Sequence, residues 1–252
     1  MDEIKENRAG YASEAQRELL SALGRDPLLQ ESFFLTGGTA LSVFYLGHRV
    51  SDDLDFFTGE GLDLPAVTDL VLRPWAGKLV WIAREPSFAS VLLRDVKVDF
   101  VVELFSVPED RPVVEFEEGG RWAVDTPEAI AGNKLAAMAG RIEPKDFIDF
   151  YFLWKTFPRL EILRIFERAK RKDALFDDPK TAIQSIREGF EIVLRSAPEE
   201  AHKEAQSAKD EAGIAGRERR GPIIPFPRLF EPVDWRDFKR TFEKLFREIL
   251  SF

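Results

Sequence analysis

The run Arg49-Val50-Ser51-Asp52-Asp53-Leu54-Asp55-Phe56-Phe57 constrains the fold of this chain more than any other. Side chains in a strand alternate between two faces, so Asp53 and Asp55 point the same way. Leu54, Phe56 and Phe57 are apolar, so the opposite face of that strand is expected to be buried. Two carboxylates on one face repel each other unless a cation sits between them, and charge in such a place needs compensation. Upstream, Phe33-Phe34-Leu35 runs into Gly37-Gly38-Thr39-Ala40-Leu41. This reads as a strand that ends on paired glycines and opens into a helix. A helix N-terminus offers backbone N–H groups to an anion. Paired carboxylates are what Mg²⁺ takes when it also holds substrate phosphates. Taken singly, each motif has an ordinary structural explanation, a turn for Gly-Gly and a solvated strand end or helix cap for Asp-x-Asp. Their conjunction points to metal-assisted chemistry on a phosphate-bearing substrate, a nucleotidyl transfer.

A coarse reading gives an α+β organisation. Helices are expected at 11–23, at 38–46 and from Pro65 towards Trp75, and strands at 33–35 and 53–57. Strand-like runs follow at 79–83, 88–93 and 96–103, the last two forming a hairpin around Arg94-Asp95. Residues 113–116 and 122–124 read as short edge strands. The character changes at Thr126-Pro127-Glu128, where Thr126 can cap a helix. Helices are then expected at 127–140, 144–156, 158–171, 179–195 and 234–250. Residues 197–220 are polar and read as a solvated helix or an excursion. Residues 221–227 read as an extended, proline-interrupted connector. The expected division is an α/β domain over 1–125 and a helical domain over 126–252 that contributes to the site cleft.

Residues 36–57 resemble the signature of the AbiEii/AbiGii toxin nucleotidyltransferases, within the DNA polymerase β-like nucleotidyltransferase superfamily. The motif reads Gly37 to Leu41, then His48, Arg49, Ser51, Asp53, Leu54, Asp55 and Phe56. A second block of the family matches Lys134, Arg141 and Lys145-Asp146-Phe147-Ile148-Asp149. The resemblance implies a nucleotidyltransferase-like mixed sheet flanked by helices, followed by a helical C-terminal part. It implies that Asp53 and Asp55 hold Mg²⁺ or Mn²⁺ and that Gly37, Gly38 and Thr39 cradle phosphates. Asp99, in Val96-Lys97-Val98-Asp99-Phe100, resembles the third acid of the superfamily, which lies on a strand beside the Asp-x-Asp strand. Read from the residues alone, Lys97-Asp99 is a neighbour pair on a half-exposed strand, and Glu103 is a weaker substitute. Lys134 is implied to hold the triphosphate and Asp146 to be needed for activity. From position alone, Lys134 belongs to a solvated face and Asp146 to a helix cap. Arg141 is a further candidate for the nucleotide. Asp149 is either a partner behind the site or a surface residue. Arg49 either pairs with an acid or reaches a phosphate, and Ser51 either bonds a phosphate or shapes the turn.

The resemblance further implies an NTP substrate, an RNA acceptor with the tRNA 3′ end foremost, and an AbiEi-like antitoxin regulator encoded nearby. A small molecule or protein hydroxyl is the alternative acceptor, and a module that has lost chemistry is the alternative class. A net charge of -9 argues against a broad basic grip on nucleic acid, leaving a local basic groove. With no cysteine there is no thiolate metal site and no cysteine nucleophile. Two histidines, His48 and His202, are too few for a histidine metal centre. Residues 1–6 hold no apolar signal-peptide core, and no run approaches bilayer-spanning length. A cytoplasmic location without a membrane partner is the resulting expectation.

Overall fold

The computed structural model of the chain describes residues 4–106, 109–197 and 224–251. It divides into two compact units, residues 1–130 and 131–252. The expected solvated stretch at 197–220 and the first part of the connector at 221–227 lie mostly outside the described residues.

The first unit is built on a mixed sheet. Its strands are β1 (Phe34–Thr36), β2 (Asp53–Thr58), β3 (Leu79–Arg84), β4 (Phe88–Leu93), β5 (Val96–Val102), β6 (Val113–Glu115) and β7 (Arg121–Val124). Among the described residues they form one seven-stranded sheet in the order β3-β4-β5-β2-β1-β7-β6. β2 runs antiparallel to β1 and parallel to β5. β7 is not an edge strand, as its short apolar run suggested. It pairs parallel with β1 on one side and antiparallel with β6 on the other. The β4–β5 hairpin turns at Arg94 and Asp95, both at positive φ (52° and 64°). Asp tolerates the left-handed region better than most residues, and the tight turn demands that region twice.

Helices α1 (Glu14–Leu23), α2 (Pro27–Ser32), α3 (Gly37–Phe44) and α4 (Leu64–Val71) complete the unit. The helix expected from residue 11 begins at Glu14, because Ser13 caps it and Tyr11 bridges to Ser51 instead. α2 escaped the sequence reading, although Asp26 caps it and Pro27 opens it. One sheet face is the core: Leu35, Leu54, Phe56, Val91, Val98, Phe100, Trp122 and Val124 are all fully buried. Phe56 stacks on Trp122 (4.3 Å between centroids) and on Phe100 (5.5 Å). The opposite face carries Asp53 and Asp55, so the alternation read from the sequence is the one the sheet adopts.

The second unit is helical. α5 (Pro127–Gly140) starts in the first unit, with the Thr126 hydroxyl accepting the Ala129 N–H at 3.2 Å, and continues into the second. α6 (Pro144–Thr156), α7 (Ile162–Lys172), α8 (Pro179–Ser196) and α9 (Trp235–Ile249) follow. Their core is aromatic. Phe147, Phe150, Tyr151, Phe190, Phe238 and Phe242 are buried and in mutual ring contact. α5 and α7 approach so closely at Gly132 that an added Cβ would stand 2.7 Å from Arg168 Cβ. Helices at this separation exclude anything larger than glycine.

Replacing Phe56 by Ala removes a ring stacked on two others behind the acid-bearing strand. The expected loss is about 3–5 kcal/mol of unfolding free energy, measured by urea titration followed through tryptophan fluorescence. A loss below about 1 kcal/mol would mean that this layer collapses freely around the gap.

Candidate active site

Asp53, Asp55 and Asp99 lie on one face of two adjacent strands. The parallel register opposes Asp53 with Lys97 and Asp55 with Asp99. Residues opposed in a ladder share a face, with strands about 4.8 Å apart. Asp53 and Asp55 are half-buried, and Asp99 is 8% exposed. Both Asp99 oxygens accept a hydrogen bond. Its Oδ1 accepts from the Ser90 hydroxyl at 2.5 Å, and its Oδ2 accepts from the Lys97 ammonium. Burial works against the Lys97 charge. The hydrogen bond to Asp99 and the fields of Asp99, Asp53 and Asp55 outweigh it and hold the Lys97 pKa above the ordinary lysine value.

The paired glycines are required by what lies against them. Gly37 has φ +70°, and a Cβ there would overlap the Asp55 carboxylate. A Cβ on Gly38 would lie 2.5 Å from Arg49 Nη2 and 2.6 Å from Ser51 Oγ. The antiparallel β1–β2 register produces this approach by placing Thr36 opposite Asp55. The start of α3 therefore sits directly on the Asp55, Arg49 and Ser51 side chains. Thr36, the N-cap residue, does not cap α3 with its hydroxyl, which donates to Asp125 Oδ2 at 2.9 Å. Ser51 is 1% exposed, and its Oγ has no hydrogen-bond partner among the described residues. An unpartnered buried hydroxyl against a helix N-terminus is a polar atom that a bound anion would satisfy.

The side chains of two candidate phosphate ligands, Thr39 and Arg49, both make hydrogen bonds within the protein. Thr39 is fully buried, and its hydroxyl donates to the Asp53 carbonyl at 2.5 Å. The amide of the fully buried Gln16 donates to the same carbonyl at 3.1 Å and to Thr39 Oγ1 at 3.3 Å. The Thr39 side chain thus fixes the start of β2. Arg49 is 3% exposed and donates to the Val50 carbonyl at 2.8 Å while its guanidinium packs on Gly38. His48 is buried in the same turn.

Beside Thr36, Asp125 forms a second fixed point that the sequence did not signal. It accepts from Thr36 and, at 3.0 Å, from Arg111 Nε, whose guanidinium lies 3.6 Å from the Phe34 ring centroid. Burial raises the Asp125 pKa above its ordinary value, opposed by Arg111 and Thr36.

In the helical unit, Lys134 of α5 is not on a solvated face. It is 7% exposed, with its ammonium 2.8 Å from Asp146 Oδ1 and 2.7 Å from Asp149 Oδ2. Asp146 and Asp149 are both fully buried. Arg141 donates to Asp146 from Nε at 2.8 Å and Nη2 at 3.2 Å. Asp146 is therefore no helix cap, and Asp149 is no surface residue. They sit one turn apart on one face of α6 and share one lysine. Burial opposes the Asp146 charge, and Lys134 and Arg141 outweigh it, so its pKa lies below the ordinary carboxylate value.

Among the described residues no group of three or more His, Cys, Asp or Glu side chains is gathered to hold a metal ion. The donor chemistry of the sheet face still suits Mg²⁺, because Asp53 and Asp55 offer carboxylate oxygens on one side. Asp99, on the same face, has its charge offset by Lys97. Among the described residues no helix is long and apolar enough to cross a membrane.

The model of the AbiEii nucleotidyl transferase toxin family, of type IV toxin–antitoxin systems, matches residues 18–248. The chain is 32% identical over 123 residues to the uncharacterized protein aq_aa25 of Aquifex aeolicus strain VF5. That match spans 49% of this chain and 58% of the relative. Among solved structures, MenT4, a nucleotidyltransferase toxin of Mycobacterium tuberculosis H37Rv, superposes with a TM-score of 0.58 at 14% identity, covering 95% of this chain and 82% of the other. JHP933 of Helicobacter pylori gives a TM-score of 0.41 at 20% identity, covering 80% and 99%.

The pKa of Asp146 predicts a pH signature. Its folded value lies below the unfolded value of 3.8, so its stabilisation is complete above about pH 4 and fades as the pH falls through the lower folded value. Asp146→Asn leaves Lys134 with Asp149. The expected loss is near the low end of about 3–5 kcal/mol at neutral pH. The gap between wild type and variant should shrink below pH 4 in denaturant unfolding. A gap independent of pH would show that Asp146 is not charged in the folded protein.

Proposed function

Because this chain belongs to the AbiEii nucleotidyltransferase toxin family, a nucleotidyltransferase of the type IV toxin–antitoxin kind, we propose that it transfers a nucleoside monophosphate from an NTP to an RNA hydroxyl, with the tRNA 3′ end as the leading acceptor. The observation that carries the reading is the apposition of the Gly37-Gly38 turn to the Asp55 carboxylate and the unpartnered Ser51 hydroxyl. A triphosphate would be bound there by the N–H groups of the first turn of α3 and by Ser51, with Arg49 setting the position of both. Asp53 and Asp55 would hold Mg²⁺ or Mn²⁺, which when bound would offset charge on the attacking and leaving oxygens.

The chain's own residues do the positioning. Thr39 and Gln16 fix the Asp53 backbone, so the two carboxylates keep their direction. Glycine at 37 lets the Asp55 carboxylate approach the helix start without a side chain between them. Lys134, held by Asp146 and Asp149, is a cation of fixed position that would receive phosphate charge as pyrophosphate departs. Arg141 holds Asp146 in turn.

For an RNA acceptor, the exposed cations Arg159, Lys170 and Arg171 are candidate phosphate contacts on and just before α7, where Glu161 pairs with Arg164 and Glu167 is also exposed, in a chain of net charge -9. Such a limited basic surface would grip few phosphates, which suits an enzyme that needs only an RNA end. The cognate partner would be an AbiEi-like antitoxin regulator encoded nearby.

Incubation with each labelled NTP, Mg²⁺ and total RNA, followed by mapping of the labelled product, tests the reading. Asp53→Asn and Asp55→Asn should each lower transfer by about 10²-fold or more while circular dichroism stays unchanged, since each loses several kcal/mol of charge stabilisation. Near-normal turnover in either would remove the carboxylate pair from the site. Transfer to RNA should also fall steeply between low and moderate salt. Transfer indifferent to RNA and to salt, with label on a protein or a small metabolite, would replace the RNA acceptor.

A further inference from the structure

Lys97 stands where its charge meets all three sheet carboxylates. It shares a face with them through the β2–β5 register, opposite Asp53 and two residues before Asp99. Its ammonium holds Asp99 Oδ2, while Ser90 holds Oδ1. Each Asp99 oxygen thereby already accepts one hydrogen bond, and its charge is offset by the Lys97 ammonium. The Lys97 side chain is 43% exposed, against 11% for Asp99. A lysine carries a compact charge on a flexible four-carbon stem and can release its partner into water at little steric cost. Ser90, at 1% exposure, has no such freedom.

Three carboxylates on neighbouring positions of one sheet face need positive charge, whatever supplies it. A univalent ammonium and a divalent cation compete for the same electrostatic position. We propose that Lys97 is a resident counter-cation that holds Asp99 out of the ligand set, so that the nucleotide-free protein offers a two-carboxylate, low-affinity metal site. The three-carboxylate form is reached when Lys97 releases Asp99, as it does when a metal-bound triphosphate brings both the divalent charge and phosphates for the ammonium to follow. The inference rests on the metal-dependent reading given above. It adds that metal and nucleotide enter together, because the free site is already neutralised in part.

The test is Mn²⁺ binding to the nucleotide-free, full-length protein, measured by electron paramagnetic resonance and by calorimetry. The proteins compared are wild type, Lys97→Met, Asp99→Asn and the double variant. Lys97→Met keeps the length of the stem and removes the charge. It should bind Mn²⁺ about tenfold tighter or more, the scale on which groups behind a metal ligand set act. Asp99→Asn in the wild-type background should change Mn²⁺ affinity less than about twofold, and should abolish the gain in the Lys97→Met background. That coupling between two sites is what a double-variant cycle isolates. A salt bridge that only holds the strands would lower the melting temperature in Lys97→Met without moving Mn²⁺ affinity, and that result overturns the proposal. Lys97→Gln repeats the comparison if Lys97→Met does not fold. Equal Mn²⁺ binding by wild type and the charge-removed variants overturns the role of Lys97 and leaves the metal reading standing. Binding by none of them, with folding intact, overturns both.

Discussion

The sheet unit is organised around one electrostatic difficulty, the crowding of Asp53, Asp55 and Asp99 on a single face. Like charges a strand spacing apart in a half-buried setting destabilise the fold unless something offsets them. Three features do so. Lys97 neutralises Asp99 directly. The start of α3 brings its positive end to Asp55, which is possible only because residues 37 and 38 lack side chains. The opposite face is packed with Leu54, Phe56, Val98 and Phe100, so apolar burial stabilises the very strands that carry the charges. Remove the glycines and the helix cannot approach. Remove the core layer and nothing holds the carboxylates together against repulsion.

The helical unit solves a different problem in a different way. Lys134, Asp146 and Asp149 are almost wholly removed from water, and Arg141 closes the group from its half-exposed side. Two cations balance two anions. A buried ion pair gains little net stability over a hydrophobic substitute, because desolvation cancels much of the attraction. What the arrangement supplies is position more than energy. A lysine fixed from two sides keeps its ammonium in one place, which a free side chain on a helix surface would not do. The surrounding aromatic core, with Phe147 packed against Phe242 next to Asp146 and Asp149 in sequence, gives the acids a rigid base.

Local pattern made the strand faces, the Gly-Gly turn and most helices legible in the sequence. Alternation in 53–57 and in 96–102 places each side chain on the face it occupies. What stayed hidden was set by long-range pairing. The family resemblance places Asp99 on a strand beside Asp53 and Asp55, but its position opposite Asp55 follows from a parallel register between strands separated by α4, β3 and β4, and no local period encodes it. β7 looked like an edge strand because its partner β1 lies far back in the chain. Thr39 looked like a phosphate ligand because its motif suggests one. α3 is buried from Gly38 to Phe44, so its first-turn hydroxyl turns inward to Asp53. Asp149 is the case that spacing could have settled. Three residues after Asp146 on the same helix, it must share that helix face, and a single lysine then serves both.

The two lysines of the candidate machinery differ in the freedom the fold allows them. The Lys134 side chain is 8% exposed and held by two carboxylates that are themselves buried. Moving it would take a shared cation from two buried carboxylates, only one of which Arg141 also holds, a cost of several kcal/mol. Lys97 has 43% of its side chain in solvent and one carboxylate partner. Releasing that partner to an incoming cation exchanges one charge pair for another and strands nothing. The fold therefore supplies one fixed positive charge and one replaceable positive charge. The difference follows from burial: a lysine enclosed by buried carboxylates is fixed by them, and one with its stem in water is not.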